Sequence, residues 1–272
     1  MTTQTSAPRT IAWNDLPPLK FVAEVQPVLE LSLHGTADLA YWREALKPEG
    51  LEPVATDGQA QVVMSATQAR FWGLTFRECI VAVQVVSTRH PRVGDGAMFL
   101  LQAWNSLRAF AWVERNVFRT PYAYGQLRLT VSPPLRFSVT QGTELMLSAE
   151  SSGQMVTTGA PTSEHWQGPV YLPSQRGPGQ KSVAQKLFVA RLSGLTEHYG
   201  FDAERDRLRI ESGPQCAASQ CAALQQLLDS RFTPRSWTVR QGAAHAKSQT
   251  YRADQFFARA KSGPTAYSPT RG

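Results

Sequence analysis

The chain is short of several features that would assign it a class at once. Three cysteines in 272 residues, an odd number without metal-like clustering, argue against a disulfide framework. Cys79 stands alone in an apolar run and reads as a small buried hydrophobe. Cys216 and Cys221 sit near an expected helix and need not pair. No stretch approaches about eighteen uninterrupted apolar residues, so no membrane span is expected. The start, MTTQTSAPRT, has no basic segment followed by an apolar run, hence no signal peptide. These absences point to a cytoplasmic protein in a reducing compartment. The histidines, His34, His90, His165, His198 and His245, have no metal-ligand spacing. There is no G-x-S-x-G elbow and no G-x-x-x-x-G-K-[ST] loop. Neither a cofactor nor a metal is expected, and no internal repeat is visible.

What is present is apolar bulk. The apolar fraction of 42%, with seven Trp and twelve Phe, suffices for a sizeable core. The net charge of +7 is not spread evenly. From Arg231 onward there are eight Lys or Arg against the single acid Asp254, so residues 1–230 are neutral, with twenty of each sign. A neutral body argues against nucleic-acid binding by the domain as a whole. The tail interleaves its cations with Trp237, Tyr251, Phe256, Phe257 and Tyr267. It is either a grip for single-stranded nucleic acid or an acidic partner, or a solvated extension.

The patterning predicts one domain over residues 16–237, between a loose 1–15 and a basic, disordered 238–272. Phe21 to Leu33 alternates apolar and polar, which predicts one or two strands with Pro27 at an edge or bend. Asp38 to Leu46 reads as a short helix. Further strands are expected at 60–67, 69–76, 126–132, 135–140, 144–150 and 207–211. Glu78 to Thr88, ECIVAVQVVST, is the clearest of them. Residues 151–180, rich in Gly, Pro, Ser and Thr, read as a long loop. Ser182 to Tyr199 reads as an amphipathic helix capped by Ser182 and Gly200, with Leu187, Val189, Leu192 and Leu195 in its buried stripe. A second helix is expected over 215–228.

The stretch Ala97 to Leu129 is the most apolar and aromatic of all, yet carries Arg108, Glu114, Arg115 and Arg119. It reads as a short strand over 97–104 and then a buried helix delivering polar groups into a core or pocket. Two short motifs there carry a resemblance: Phe76-Arg77-Glu78 followed by Val81, Val83 and Val85, and Arg115-Asn-Val-Phe-Arg-Thr-Pro121-Tyr122. Together they resemble the acetoacetate decarboxylase superfamily, and Arg115, Phe118 and Pro121 match its second motif. Asn105-Ser106, Arg115, Pro121-Tyr122 and Glu197-His198-Tyr199 are more similar still to its YqjF-like branch. The likeness covers roughly residues 20–212. It implies an α+β, β-rich fold, a barrel or cone of mainly antiparallel strands with a few packed helices. It also implies a small-molecule ligand or substrate, and it leaves a homo-oligomer open.

The departure from that family is chemical. The resemblance implies a Schiff-base lysine where Tyr122 and Ala123 stand, and no lysine occurs between Lys47 and Lys181. Imine chemistry at that position is excluded. Glu78, at the start of an apolar strand, is then the candidate proton carrier, since desolvation raises a carboxyl's pKa; the alternative is a strand-end Glu paired with an arginine. Tyr122 is a catalytic candidate and Tyr124, two residues on, points the same way; both read equally as half-buried sheet aromatics. Arg115 either clamps a ligand carboxylate or ties down its neighbours. Trp104 and Asn105 complete the expected binding set. His165, in the long loop, is a lid or acid–base candidate unless merely exposed. The function expected is acid–base work on an oxo- or carboxylated compound, of lyase, hydratase or isomerase type. The alternative is a non-catalytic ligand-binding pocket of the same fold.

Overall fold

The computed structural model describes residues 10–11, 13, 16, 18–90, 92–93, 96–174, 185–211 and 218–261. Its frame is a ring of seven strands: β1 Phe21–Asp38, β2 Gln59–Phe71, β3 Leu74–Ser87, β4 Ala97–Asn105, β5 Thr162–Tyr171, β6 Lys186–Gly200 and β7 Thr233–Ser248. Each pairs with the next in chain order and β7 pairs back onto β1, which closes the barrel. All neighbours are antiparallel except β4 and β5, which run parallel through Val170↔Met98 and Tyr171↔Phe99. A parallel pair needs a long crossover, and the segment 106–161 supplies it. That crossover carries a side sheet made of Gln126–Thr130, Arg136–Gln141 and Glu144–Glu150, joined later by Arg207–Ile210. Among the described residues four α-helices pack around this frame: α1 Leu39–Leu46, α2 Arg108–Val113, α3 Ala218–Asp229 and α4 Ala253–Lys261.

Strand alternation decides where the core lies. Leu31 and Leu33 on β1, Val62 and Met64 on β2, and Val81 and Val83 on β3 point out of the barrel. There they join Phe137, Val139 and Leu147 of the side sheet and Trp42 of α1 in one buried cluster. Burying each of these side chains is worth about 1.5–3 kcal/mol. The residues between them, Glu30, Ser32 and His34, Ser65 and Thr67, Glu78 and Ala82, point inward. The main core therefore sits outside the barrel, and the barrel interior is left as a lined cavity.

The expected β-rich barrel forms, and several strand readings match closely. Glu144–Glu150 is a strand, and α1 begins where Asp38 accepts a 2.8 Å bond from the Tyr41 amide. Other readings need correction. The stretch expected as a helix over 182–199 forms strand β6 where it is described. Leu187 and Val189 face the outer core while Phe188 and Ala190 face the cavity. Both faces are apolar, so the two-residue alternation is invisible in the sequence. Ser182, its expected cap, lies outside the described residues. The expected loop 151–180 contains β5, whose Gly168 approaches Gly96 so closely that a Cβ would lie 2.3 Å from its carbonyl oxygen.

The expected tail is corrected as well. Strand β7 runs straight through position 238 and is hydrogen-bonded on both sides, and α4 buries Phe256 and Phe257. Of its described cations, Arg240 and Lys247 line the barrel interior, and Arg252 pairs with Asp254 at 2.9 Å. At the other end, Thr10–Ile11 pairs with Arg92–Val93 and Trp13 packs against the main core. Residues 1–9 and 262–272, expected to be loose, and Cys216 lie outside the described residues, as does the Cys221 side chain. No helix among the described residues is long and apolar enough to cross a membrane.

Candidate active site

The barrel encloses a cavity of about 1010 Å³, lined mainly by apolar side chains. Leu100, Tyr122, Val170 and Phe188 form its inner apolar wall. Its rim is aromatic. The two-residue turn Trp72-Gly73, with φ of 48° and 80°, holds Trp72 almost fully exposed beside Phe71. Phe110 of α2 packs edge-on against both Phe71 and Phe76.

Two clusters of charge break this apolar surface. The first gathers Glu78, Tyr122, Glu114 and Lys247. Glu78 stands on β3 opposite Asn105 of β4, and the Tyr122 hydroxyl donates to its carboxylate. Burial, and then the charge on Glu114, push the Glu78 carboxyl above its ordinary 4.5. Burial, and then the charges on Glu78 and Glu114, push the Tyr122 phenol well above 10. Glu114 enters on a π-helical turn, Glu114–Phe118, and accepts 2.8 Å from the Thr120 hydroxyl and an ion pair from Lys247. The Lys247 ammonium also lies 4.6–5.3 Å from the ring centres of Phe118, Tyr122 and Phe188.

The second cluster is centred on Glu30, only 3% exposed. Its carboxylate accepts from Arg240 at 2.6 Å, from His245 Nε2 at 2.7 Å and from Ser32 at 3.0 Å. Arg240 in turn donates to Glu164 at 2.6 Å and to Thr196 at 2.7 Å. Burial alone would raise the pKa of Glu30, but the His245 bond and the charges of His245 and Arg240 hold it at about 2. His34, bonded to Thr238 at 3.0 Å, is pushed down to about 4, chiefly by burial.

The last two values make the fold acid-sensitive in a defined window. His34 takes up its proton far less readily folded than unfolded. Its stabilisation is therefore complete above pH 6.5 and lost as pH falls through 4. The displacement corresponds to about 3 kcal/mol. Glu30 acts lower, between 4.5 and 2. The thermal midpoint is expected to drop between pH 6.5 and 4 in the wild type. In His34→Asn that part of the slope should be missing; an unchanged slope would assign it to other groups.

The residues expected from the sequence part company here. Glu78, Tyr122 and Asn105 reach the cavity; Asn105 is buried and accepts 2.9 Å from the Leu107 amide, so it also fixes the turn into α2. Trp104 does not reach it: it faces the outer core, fully buried, because it is one residue out of phase with Asn105 on the strand. Tyr124 lies under the Arg108 guanidinium at 4.6 Å and outside the cavity lining. Arg115 is exposed. Phe110, Val113, Glu114 and Phe118 share the face of this helical segment that lines the cavity, and about 100° per residue turns Arg115 away from it. His165 sits on β5 at the rim.

Sequence reasoning missed Glu30, Arg240, His245 and Lys247. Lys247 reaches the pocket from β7, far in sequence from the Tyr122-Ala123 position where the resemblance implied a lysine. Among the described residues no group of His, Cys, Asp and Glu is arranged to hold a metal ion.

No protein-family model matches the chain, and no curated protein does. Solved structures do. An acetoacetate decarboxylase-like enzyme from Sphingomonas wittichii RW1 superposes with a TM-score of 0.54 at 15% identity, covering 84% of this chain and 91% of that one. Acetoacetate decarboxylase from Legionella pneumophila gives 0.54 at 12%, covering 91% of each chain. The enduracididine biosynthesis enzyme MppR, complexed with pyruvate, gives 0.52 at 15%, covering 86% and 88%. Identities this low speak to architecture alone, and the chain has the acetoacetate decarboxylase-like fold.

Proposed function

We propose that the protein is a small-molecule enzyme doing acid–base work on an oxo- or carboxylated compound, with Glu78 as proton carrier. The observation that carries this reading is one cluster, inside a largely apolar cavity, that holds both a carboxyl with raised pKa, Glu78, and the ammonium group of Lys247. Burial and the charge on Glu114 favour the protonated form of Glu78, which suits it to give a proton to a bound substrate or take one from it. The Tyr122 hydroxyl and the Lys247 ammonium are the donors for a developing oxyanion or a substrate carboxylate. The fold's occurrence in an enzyme complexed with pyruvate is in keeping with this substrate class. Bond-making to the protein is not needed for such a reaction.

The test uses a panel of 2-oxo and 3-oxo acids followed by proton NMR. Glu78→Gln is expected to slow turnover by about 10²–10⁴-fold. It is also expected to raise stability, because a buried carboxyl with raised pKa is a cost at pH 7. Unchanged turnover would sink the assignment.

Lys247 favours a second reading, in which its amine attacks a substrate carbonyl and an imine forms after all, from a position remote from Tyr122-Ala123. Borohydride added with pyruvate decides between them. A reduced adduct on Lys247, seen by peptide mass spectrometry, supports the imine; an unmodified Lys247 beside turnover supports the non-covalent route. The apolar lining also suits a pure binding protein. A compound retained through purification, with no turnover across the panel, would favour that.

A further inference from the structure

We infer that His245 is a second proton carrier, on the wall opposite Glu78, and that Glu30 is the positioning residue that presents its free ring nitrogen. This rests on the acid–base reading above and extends it to a two-base reaction.

The first observation is strand parity. On β7, Trp237 and Val239 face the outer core, while Thr238 and Arg240 face inward. Regular alternation would send His245 and Lys247 outward with the other odd-numbered residues. Both instead line the cavity, because the pairing of β7 slips between Arg240 and Ala243 and again between Ala243 and His245. Gly242, with φ of 68°, makes this bulge, and a Cβ on Gly194 of the neighbouring strand would press against Ala243 at 3.0 Å. A bulge of this kind re-aims side chains. Here it turns exactly these two polar side chains of the strand into the cavity.

The second observation is how His245 is held. Its Nε2 lies 2.7 Å from Glu30, and Glu30 is itself fixed by Arg240 and Ser32. The bonded carboxylate keeps the proton on Nε2 and leaves Nδ1 as the basic atom. Among the described residues Nδ1 has no hydrogen-bond partner, and the ring lines the cavity. Glu78 on β3 and His245 on β7 stand on opposing arcs of the seven-strand ring.

The step this arrangement performs is proton relocation on a carbon next to a carbonyl. His245 Nδ1 takes the proton, and the C–H electron pair becomes the enolate C=C. The negative charge on oxygen is met by Tyr122 and Lys247. Glu78 then gives its proton to carbon from the other side, and both groups return to their starting states by exchange with water. The ligand class is an oxo acid bearing an α C–H and, given the apolar lining, an alkyl or aryl chain.

The experiment is exchange of the C3 protons of 2-oxooctanoate in D₂O, followed by proton NMR. The wild type should exchange them, and His245→Gln should slow exchange by about 100-fold or more. Exchange lost in Glu78→Gln but kept in His245→Gln would overturn the His245 proposal and leave the acid–base reading standing. No exchange by the wild type would overturn both. A check independent of turnover is ¹⁵N NMR of histidine-labelled protein: His245 should carry its proton on Nε2, and Glu30→Gln should disturb that tautomer. A wild-type His245 protonated on Nδ1 alone would overturn the proposal regardless of variants.

Discussion

A chain ending at Trp237 is expected not to fold. Removing residues 238–272 takes away most of β7, and with it the ladders to β1 and β6 that close the ring. Both flanking strands would then show unpaired edges to water. The lost side chains include Val239, Phe256 and Phe257, each nearly fully buried. At about 1.5–3 kcal/mol apiece, with the two ladders added, their loss is comparable to the whole stability of a typical domain, about 5–15 kcal/mol. The fragment should be insoluble or lack a cooperative thermal transition by circular dichroism. A soluble 1–237 fragment that unfolds cooperatively would show that the barrel does not depend on β7.

Glu30→Gln is expected to cost about 3 kcal/mol in urea unfolding, at the lower end for a broken buried pair. The substitution keeps the shape of the side chain but removes the charge that compensates Arg240 inside the barrel and weakens the acceptor that His245 bonds. Glu164 still reaches Arg240, which is why the loss is not larger. Replacing Glu30 and Arg240 together by Met should recover part of it, since the two most deeply buried charges then leave together, while Glu164 and Thr196 lose their Arg240 bonds. Glu78→Gln moves stability the other way. The two carboxylates line one cavity, yet one is held by its partners and the other is held against its preference. A loss of stability in both variants would show that Glu78 is structural like Glu30.

The site was legible in the sequence in part, and the pattern of what was missed has a physical cause. Glu78 could be found because a single carboxylate opening a run of Cys, Ile and Val stands out against its neighbours. Tyr122 and Asn105 were found through short motifs. Arg115 was misplaced because the helical phase between Glu114 and Arg115 depends on where α2 starts and on its π-helical turn. Trp104 was misplaced by one residue of strand register, which reverses the face. Strand β6 was hidden because a strand apolar on both faces carries no period.

His245 and Lys247 could not be found in this way. The stretch that holds them, RQGAAHAKS, has little apolar density and resembles a tail. Its parity changes at a bulge that leaves only a glycine as a trace. A strand with so few large side chains is held by its two ladders and by charged partners, and those lie some 50 to 220 residues away in the chain.

By itself, then, the sequence determined that strands would dominate and that an apolar segment after Gly96 would bring polar groups to a pocket. It also determined that no lysine could arise at Tyr122-Ala123. Local composition suffices for these because they depend on residue type and short-range alternation. Only the tertiary structure decided which face of each strand looks inward, that the core lies outside the barrel, and that an amine and an imidazole enter from the last strand. Those outcomes depend on ring closure, and closure is set by pairing between residues far apart in the chain.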